Sequence, residues 1–183
     1  MSSGQLSRSR SRSSASKHSA GARHTPPPPA LTPANDDDFE PCAATGSFLL
    51  YSQRNQILVV HHDTLAIERR FGLHREHVRW ISVDNVSERG AGRLCVSYDA
   101  GNTAIVWDIF TGSEVSRFAA YDEIRTAAWM RNGNIAFGNV QGSIILFEPS
   151  TTEHISARTI FDPITALAPS ADCRTFAIGY VYH

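Results

Sequence analysis

The sequence predicts an all-β chain made of repeated four-stranded antiparallel sheets. Three observations carry that prediction. Apolar, β-branched runs that end in turn residues recur at 55–64, 103–112 and 142–151, and aligned on the turn that opens each run they stand 47 and then 40 residues apart. No stretch sustains a helical apolar period. The strands are also apolar on both faces, so a single sheet cannot cover itself and must be flanked by others. A β-rich period of 40 to 47 residues points to sheets set side by side around an axis, a propeller array.

Residues 1–38 are read as a disordered tail, because Ser, Arg, Pro and Gly dominate and little can be buried. Through residue 34 the tail holds Arg8, Arg10, Arg12, Lys17 and Arg23 and no acid, a charge of +5. The formal net charge of the chain is −1, so the remainder carries −6. A basic arm on an acidic body suggests an interaction tail rather than a nucleic-acid-binding domain. Residues 7–13 alternate Ser and Arg. Each phosphate there would add about −1.5 to −2 charge, which allows the sign of the tail to invert. Residues 26–29 form a short polyproline spacer, and Asp36, Asp37 and Asp38 close the linker.

From residue 39 to 183 the expectation is about three to three and a half four-stranded units, at 39–73, 74–119, 120–162 and an incomplete 163–183. In the first, strands are expected at 48–51, 57–60 and 65–71, with a weak fourth within 39–44. The second is complete, with strands at 78–83, 94–97, 104–107 and 114–118 and a long loop at 84–93 marked by Gly90 and Gly92. The third repeats the order at 124–129, 135–137, 144–147 and 154–160. The last shows only 164–167 and 176–178. Strand starts Val78, Ile124 and Ile164 are separated by 46 and 40 residues, and Leu94, Ile135 and Phe176 by 41 and 41. Since three and a half units do not close a ring, the chain is expected to be a fragment of a larger array.

These units resemble WD40 repeats over about residues 48–183. Trp107-Asp108 stands where that family ends its third strand with Trp-Asp, and His74 precedes Val78 by the family's four positions, although Leu73 replaces the usual Gly. Ser170-Ala171-Asp172-Cys173 is similar to the family's Ser-Pro-Asp-Gly turn. The resemblance implies a β-propeller in which a turn Asp, a His, a strand Ser and the Trp share hydrogen bonds. His74, Ser97 and Trp107 supply three members and Asp108 completes the dipeptide. The turn Asp is expected to be missing, since Asp99 falls too early and Asn102 too late. In the third unit Ala120 occupies the His position and Phe147-Glu148 the Trp-Asp position, so no network is expected there.

Composition excludes several classes. Cys42, Cys95 and Cys173 lack CxxC spacing and the N-terminus lacks a signal-peptide core, which fits a reduced, intracellular setting in cytoplasm or nucleus. No apolar run approaches the roughly 18 residues of a membrane span. Asn85-Val86-Ser87 matches a glycosylation sequon, but that compartment argues against its use. His61, His62, His74 and His77 invite a metal reading, but adjacent strand residues point to opposite faces and His74 fits the repeat's own histidine. Neither a nucleophile elbow nor a phosphate-cradling loop is present, so no catalytic, cofactor or metal residues are expected.

Binding is the default use of such a scaffold. The resemblance implies a non-catalytic adaptor that holds other proteins through one face of the array. Loops joining one sheet to the next are expected to line that face, which nominates Arg75, Glu76, Tyr121, Asp122 and Glu123. Arg79 and Arg125, equivalent positions in the inner strands, are placed to take an acidic or phosphorylated peptide, or to form local ion pairs. The alternative is an RNA-associated protein that uses the Arg-Ser tail for RNA or splicing-factor contacts, with the sheets docking a partner.

Overall fold

The computed structural model of the protein describes residues 40–180. The Arg-Ser alternation, the proline spacer and the disorder expected of residues 1–38 lie outside them. The described residues contain fourteen strands and no helix, and they fall into antiparallel sheets that each follow chain order.

The first sheet is β1 (Cys42–Ala44), β2 (Phe48–Gln53), β3 (Gln56–His61) and β4 (Ile67–Phe71). The weakly signalled first strand is therefore present, three residues long and paired with Leu49, Leu50 and Tyr51. β4 begins later than expected because Leu65 turns the chain at φ 54° and its N–H donates to His61 O at 2.9 Å. The second sheet is β5 (Val78–Val83), β6 (Leu94–Asp99), β7 (Thr103–Asp108) and β8 (Glu114–Ala119). The third is β9 (Ile124–Trp129), β10 (Ile135–Asn139), β11 (Ser143–Phe147) and β12 (His154–Arg158), and β13 (Ile164–Pro169) pairs with β14 (Phe176–Tyr180). The last strand of the third sheet stops two residues before the expected 160, where the N–H groups of Thr159 and Ile160 turn to Gly142 O. Gly142 is required there. Its φ is +77°, and a Cβ would stand 2.3 Å from Ile160 O.

The sheets stand face to face, and their first strands adjoin: β1 lies beside β5, β5 beside β9 and β9 beside β13. None closes on itself as a barrel. This arrangement is compatible with a propeller-like fold. The two-sided apolar strands explain it. On β6 and β7, Cys95, Ile105 and Trp107 face the first sheet and meet Leu50, Ile57, Val59 and Phe71. The alternate residues Val96, Tyr98, Ala104 and Val106 face the third and meet Ile124, Ile135, Phe137 and Phe147. A third layer joins Ala136 and Ile144 to Ile164. Trp107 stacks on Phe71 of the neighbouring sheet with ring centroids 4.9 Å apart. Full burial of each such side chain stabilises the fold by about 1.5–3 kcal/mol, so the sheets depend on one another.

The seam between the second and third sheets is also tied by directional bonds. Trp80 Nε1–H donates to Ile124 O at 3.3 Å, and Trp129 Nε1–H donates to Ser82 O at 3.1 Å. Tyr98, stacked on Trp80 at 5.2 Å, accepts the Ile124 N–H at 2.9 Å and donates its own hydroxyl to Asn102 Oδ1 at 2.6 Å.

Candidate functional site

Two places bring the sequence-nominated residues together. The first is a buried chain of hydrogen bonds in the second sheet. Ser97 and Asp99 are two apart on β6, so period-two alternation turns both side chains to the same face. His74, on the connection from β4 to β5, reaches over that face. Its Nδ1 lies 3.0 Å from Asp99 Oδ2 and its Nε2 lies 2.7 Å from Ser97 Oγ. Trp107 Nε1–H donates to the same Ser97 Oγ at 2.8 Å. A carboxylate only accepts, so Nδ1 carries the proton, and Nε2 is left to accept the Ser97 hydroxyl. Every group in the chain is thereby satisfied.

The expectation that the turn acid is missing is overturned: Asp99 fills the role. A four-residue turn explains how. Asn102 takes φ 60°, and the backbone N–H groups of Gly101 and Thr103 both donate to Asp99 Oδ1 at 3.0 Å, leaving Oδ2 for His74. Asp108 lies apart from this chain and caps the next turn, accepting the N–H groups of Phe110 and Thr111 and pairing with Arg93 at 2.7 Å.

His74, Ser97, Asp99 and Trp107 are all buried, with Ser97 fully so. Burial lowers the His74 pKa from its ordinary value, against the opposing pull of Asp99, and keeps the ring neutral. The order Asp, His, Ser imitates a nucleophilic triad. A nucleophile, however, needs access to substrate and an available lone pair. Ser97 has no access, and its oxygen already accepts the Trp107 N–H. The chain acts structurally.

In the third sheet the equivalent positions are Ala120, Phe137 and Phe147, and Asn139 follows Asp99 by 40 residues. Asn139 Oδ1 accepts the N–H groups of Gln141 at 3.1 Å and Ser143 at 2.8 Å, which reproduces the turn. Phe118, Phe137 and Phe147 pack together where the polar chain would stand, with centroids 5.4 to 6.1 Å apart.

The second place is the exposed end where the sheets are joined. Connections 72–77 and 120–123 are held to neighbouring turns by main-chain bonds: Val78 N–H to Arg54 O, Ala100 N–H to His77 O and Ala120 N–H to Asn102 O, all 2.8 Å. On this braced rim Tyr121 is 98% exposed, so nothing in the described fold uses its ring. Arg75, Glu76, Arg79 and Glu123 are exposed and Asp122 half-buried. Arg79, Tyr98, Asp99, Ala100, Asn102 and Glu123 line a polar cleft of about 210 Å³. Arg125 is not free to act with Arg79, since its Nε pairs with Glu123 Oε1 at 3.1 Å. Among the described residues Arg79 makes no ion pair.

Other candidates have local partners. His62 pairs with Asp63 at 3.1 Å, and the described residues hold no group of three His, Cys, Asp or Glu able to bind a metal ion. Cys95 is fully buried, and desolvation pushes its thiol pKa strongly upward, which leaves it inert. The sequon is committed internally: Asn85 Nδ2–H donates to Ala44 O at 3.3 Å, and the buried Ser87 hydroxyl donates to Asp84. No helix among the described residues is long and apolar enough to cross a membrane. No protein-family model matches the chain, and no curated protein matches it either.

Proposed function

We propose that the chain is a non-catalytic scaffold of WD40 type, which binds another protein through the end of the array that carries the sheet-to-sheet connections. Support for the family type comes from side-by-side four-stranded sheets and from the Trp107, Ser97, His74, Asp99 chain, which has the members and order that the sequence resemblance implies. The observation that carries the binding role is Tyr121. A tyrosine ring left 98% exposed on a connection braced by main-chain bonds is a preformed contact that the fold itself does not need. Arg75, Glu76, Arg79 and Asp122 lie on or beside the same sheet-to-sheet connections, giving this end of the array one aromatic anchor together with charged groups, the mix typical of recognition surfaces. Arg79 stands as the cation of the polar cleft, and Arg125 steadies Glu123.

The test is quantitative affinity purification of the full chain beside Tyr121→Ala and Arg79→Glu, with unfolding midpoints measured on the same samples. The expected result is that proteins retained by the native chain are lost from both variants while stability is unchanged, since both side chains are exposed. Retention of the same set by both variants overturns the assignment of this rim.

A further inference from the structure

The connections that enter β5, β9 and β13 repeat one pattern. Each places a carboxylate two residues before its strand, as Glu76, Asp122 and Asp162. The residue before the acid is Arg75 in the first connection and an aromatic in the other two, Tyr121 and Phe161, 40 residues apart. Both rings stand out from the surface, 98% and 85% exposed. Main-chain bonds fix where they stand. Val140 N–H donates to Glu123 O at 3.0 Å, and the N–H groups of Thr159 and Ile160 donate to Gly142 O at 2.9 and 3.2 Å. The connections that carry Tyr121 and Phe161 are thus tied to one turn, between β10 and β11, at residues two apart. The strands they enter, β9 and β13, adjoin, and facing sheets pack about 10 Å apart, which sets the scale of the separation between the two ring positions.

The charge left over at these two connections has one sign. Arg125 pairs with Glu123 at 3.1 Å and the two cancel, while neither Asp122 nor Asp162 makes an ion pair among the described residues. Each exposed ring is therefore followed directly by a carboxylate without a salt-bridge partner. That combination selects its ligand. Rings so exposed wall no enclosure deep enough to bury an apolar side chain, which gains little from lying on them. An anion is repelled by the carboxylates. A guanidinium is attracted by both parts, since its plane stacks on the ring face, its edge donates to the carboxylate, and the stacking persists at exposed sites. In the first connection Arg75 takes the ring's place, which confines the pattern to the two connections that flank the third sheet.

We propose that the Tyr121 and Phe161 side of the rim binds an arginine-bearing segment of a partner protein, with two guanidinium groups set over the two rings and paired with Asp122 and Asp162. This rests on the rim assigned above as the binding end and adds the chemistry of the partner.

The probe is the blocked peptide acetyl-Gly-Arg-Pro-Pro-Arg-Gly-amide, whose polyproline conformation sets both arginines on one side about 9 Å apart. It is titrated at low salt into the full-length ¹⁵N-labelled chain and followed by amide chemical shifts. Binding in the millimolar range is expected, with saturable shifts at Tyr121, Asp122, Val140 and Phe161. Replacing one arginine by glutamine should weaken binding about three- to tenfold, and replacing both should abolish it. Tyr121→Leu and Asp162→Asn should each weaken the two-arginine peptide about threefold or more. Absence of saturable shifts at those amides, equal affinity for the two-glutamine peptide, or unchanged affinity in both variants overturns the arginine site. Equal affinity for the one- and two-arginine peptides overturns the paired arrangement. The peptide comparisons use the native chain, so they decide the matter even if a variant fails to fold. The rim is judged separately: if Tyr121→Ala loses the purified proteins while arginine and glutamine peptides behave alike, the rim stands and the arginine partner is overturned.

Discussion

Ser97→Ala tests the buried chain of the second sheet most directly. The hydroxyl makes two bonds at once, donating to His74 Nε2 at 2.7 Å and accepting Trp107 Nε1–H at 2.8 Å, in a residue with no solvent exposure. Removing one oxygen orphans a ring nitrogen on one side and an indole N–H on the other. An unsatisfied buried polar group costs about 1–3 kcal/mol, so the expected loss for the two is about 2–6 kcal/mol. That is a large part of the roughly 5–15 kcal/mol that holds a domain together. The assay is urea unfolding followed by tryptophan fluorescence, with the slope compared between variants to establish that only the midpoint moves. A second variant separates the mechanism from packing. Trp107→Phe deletes the indole N–H, so the double variant should cost less than the two single changes summed, with a coupling of about 0.5–3 kcal/mol. A Ser97→Ala loss below about 0.5 kcal/mol, or strict additivity with Trp107→Phe, refutes the chain as drawn.

Three further outcomes follow from particular residues. Burial holds His74 neutral in the folded chain, whereas the unfolded chain takes up a proton near pH 6.5. Stability should therefore be level above that pH and fall as the pH drops below it, by up to about 1.4 kcal/mol per unit, until the folded-state pKa is reached. Urea midpoints between pH 7.5 and 5.5 should show this slope in the native chain and lose it in His74→Gln; identical slopes refute it. Cys173 holds φ 60° at a turn where Gly133, 40 residues earlier, holds φ 90°, so Cys173→Gly should stabilise by about 1 kcal/mol, read as a higher midpoint. Ser116 Oγ is buried without a hydrogen-bond partner, and Ser116→Ala should leave the midpoint unchanged or raise it by up to about 1 kcal/mol, a drop counting against the orphan.

Much of the fold was legible because its signals are local and repeated. Val78, Ile124 and Ile164 open strands in register, and the 84–93 loop falls between β5 and β6 as its glycines suggest. What escaped was set by conformation rather than composition. Cys42–Ala44 carries almost no strand signal, and its pairing with β2 is what makes it a strand. Counted along the chain Asp99 falls too early, yet the turn through Asn102 brings its carboxylate to His74. The forty-residue step from Asp99 to Asn139 carries the missing signal. Tyr98, Trp80 and Trp129 look like ordinary core aromatics in sequence, because their seam bonds exist only once two sheets face each other. Equal spacing put Arg79 and Arg125 at matching positions and left peptide binding and local ion pairing both open; Glu123 beside Arg125 gives that arginine the local pair.

The second and third sheets answer one packing requirement with two chemistries. At the turn, both need an oxygen that accepts two backbone N–H groups, and Asp99 and Asn139 both provide it. Past the turn they diverge. Asp99 keeps a second charged oxygen that must be met in a dry interior, so His74, Ser97 and Trp107 form a closed series of donors and acceptors behind it. The Asn139 side chain is neutral, and the space behind it is filled by Phe137 and Phe147 with nothing to satisfy. Intermediate sets are disfavoured: a serine at 137 beside Phe147, or a phenylalanine at 97 beside His74, leaves a buried polar atom unpaired. The four positions are therefore expected to change together, because each intermediate set leaves a buried polar group unsatisfied at about 1–3 kcal/mol.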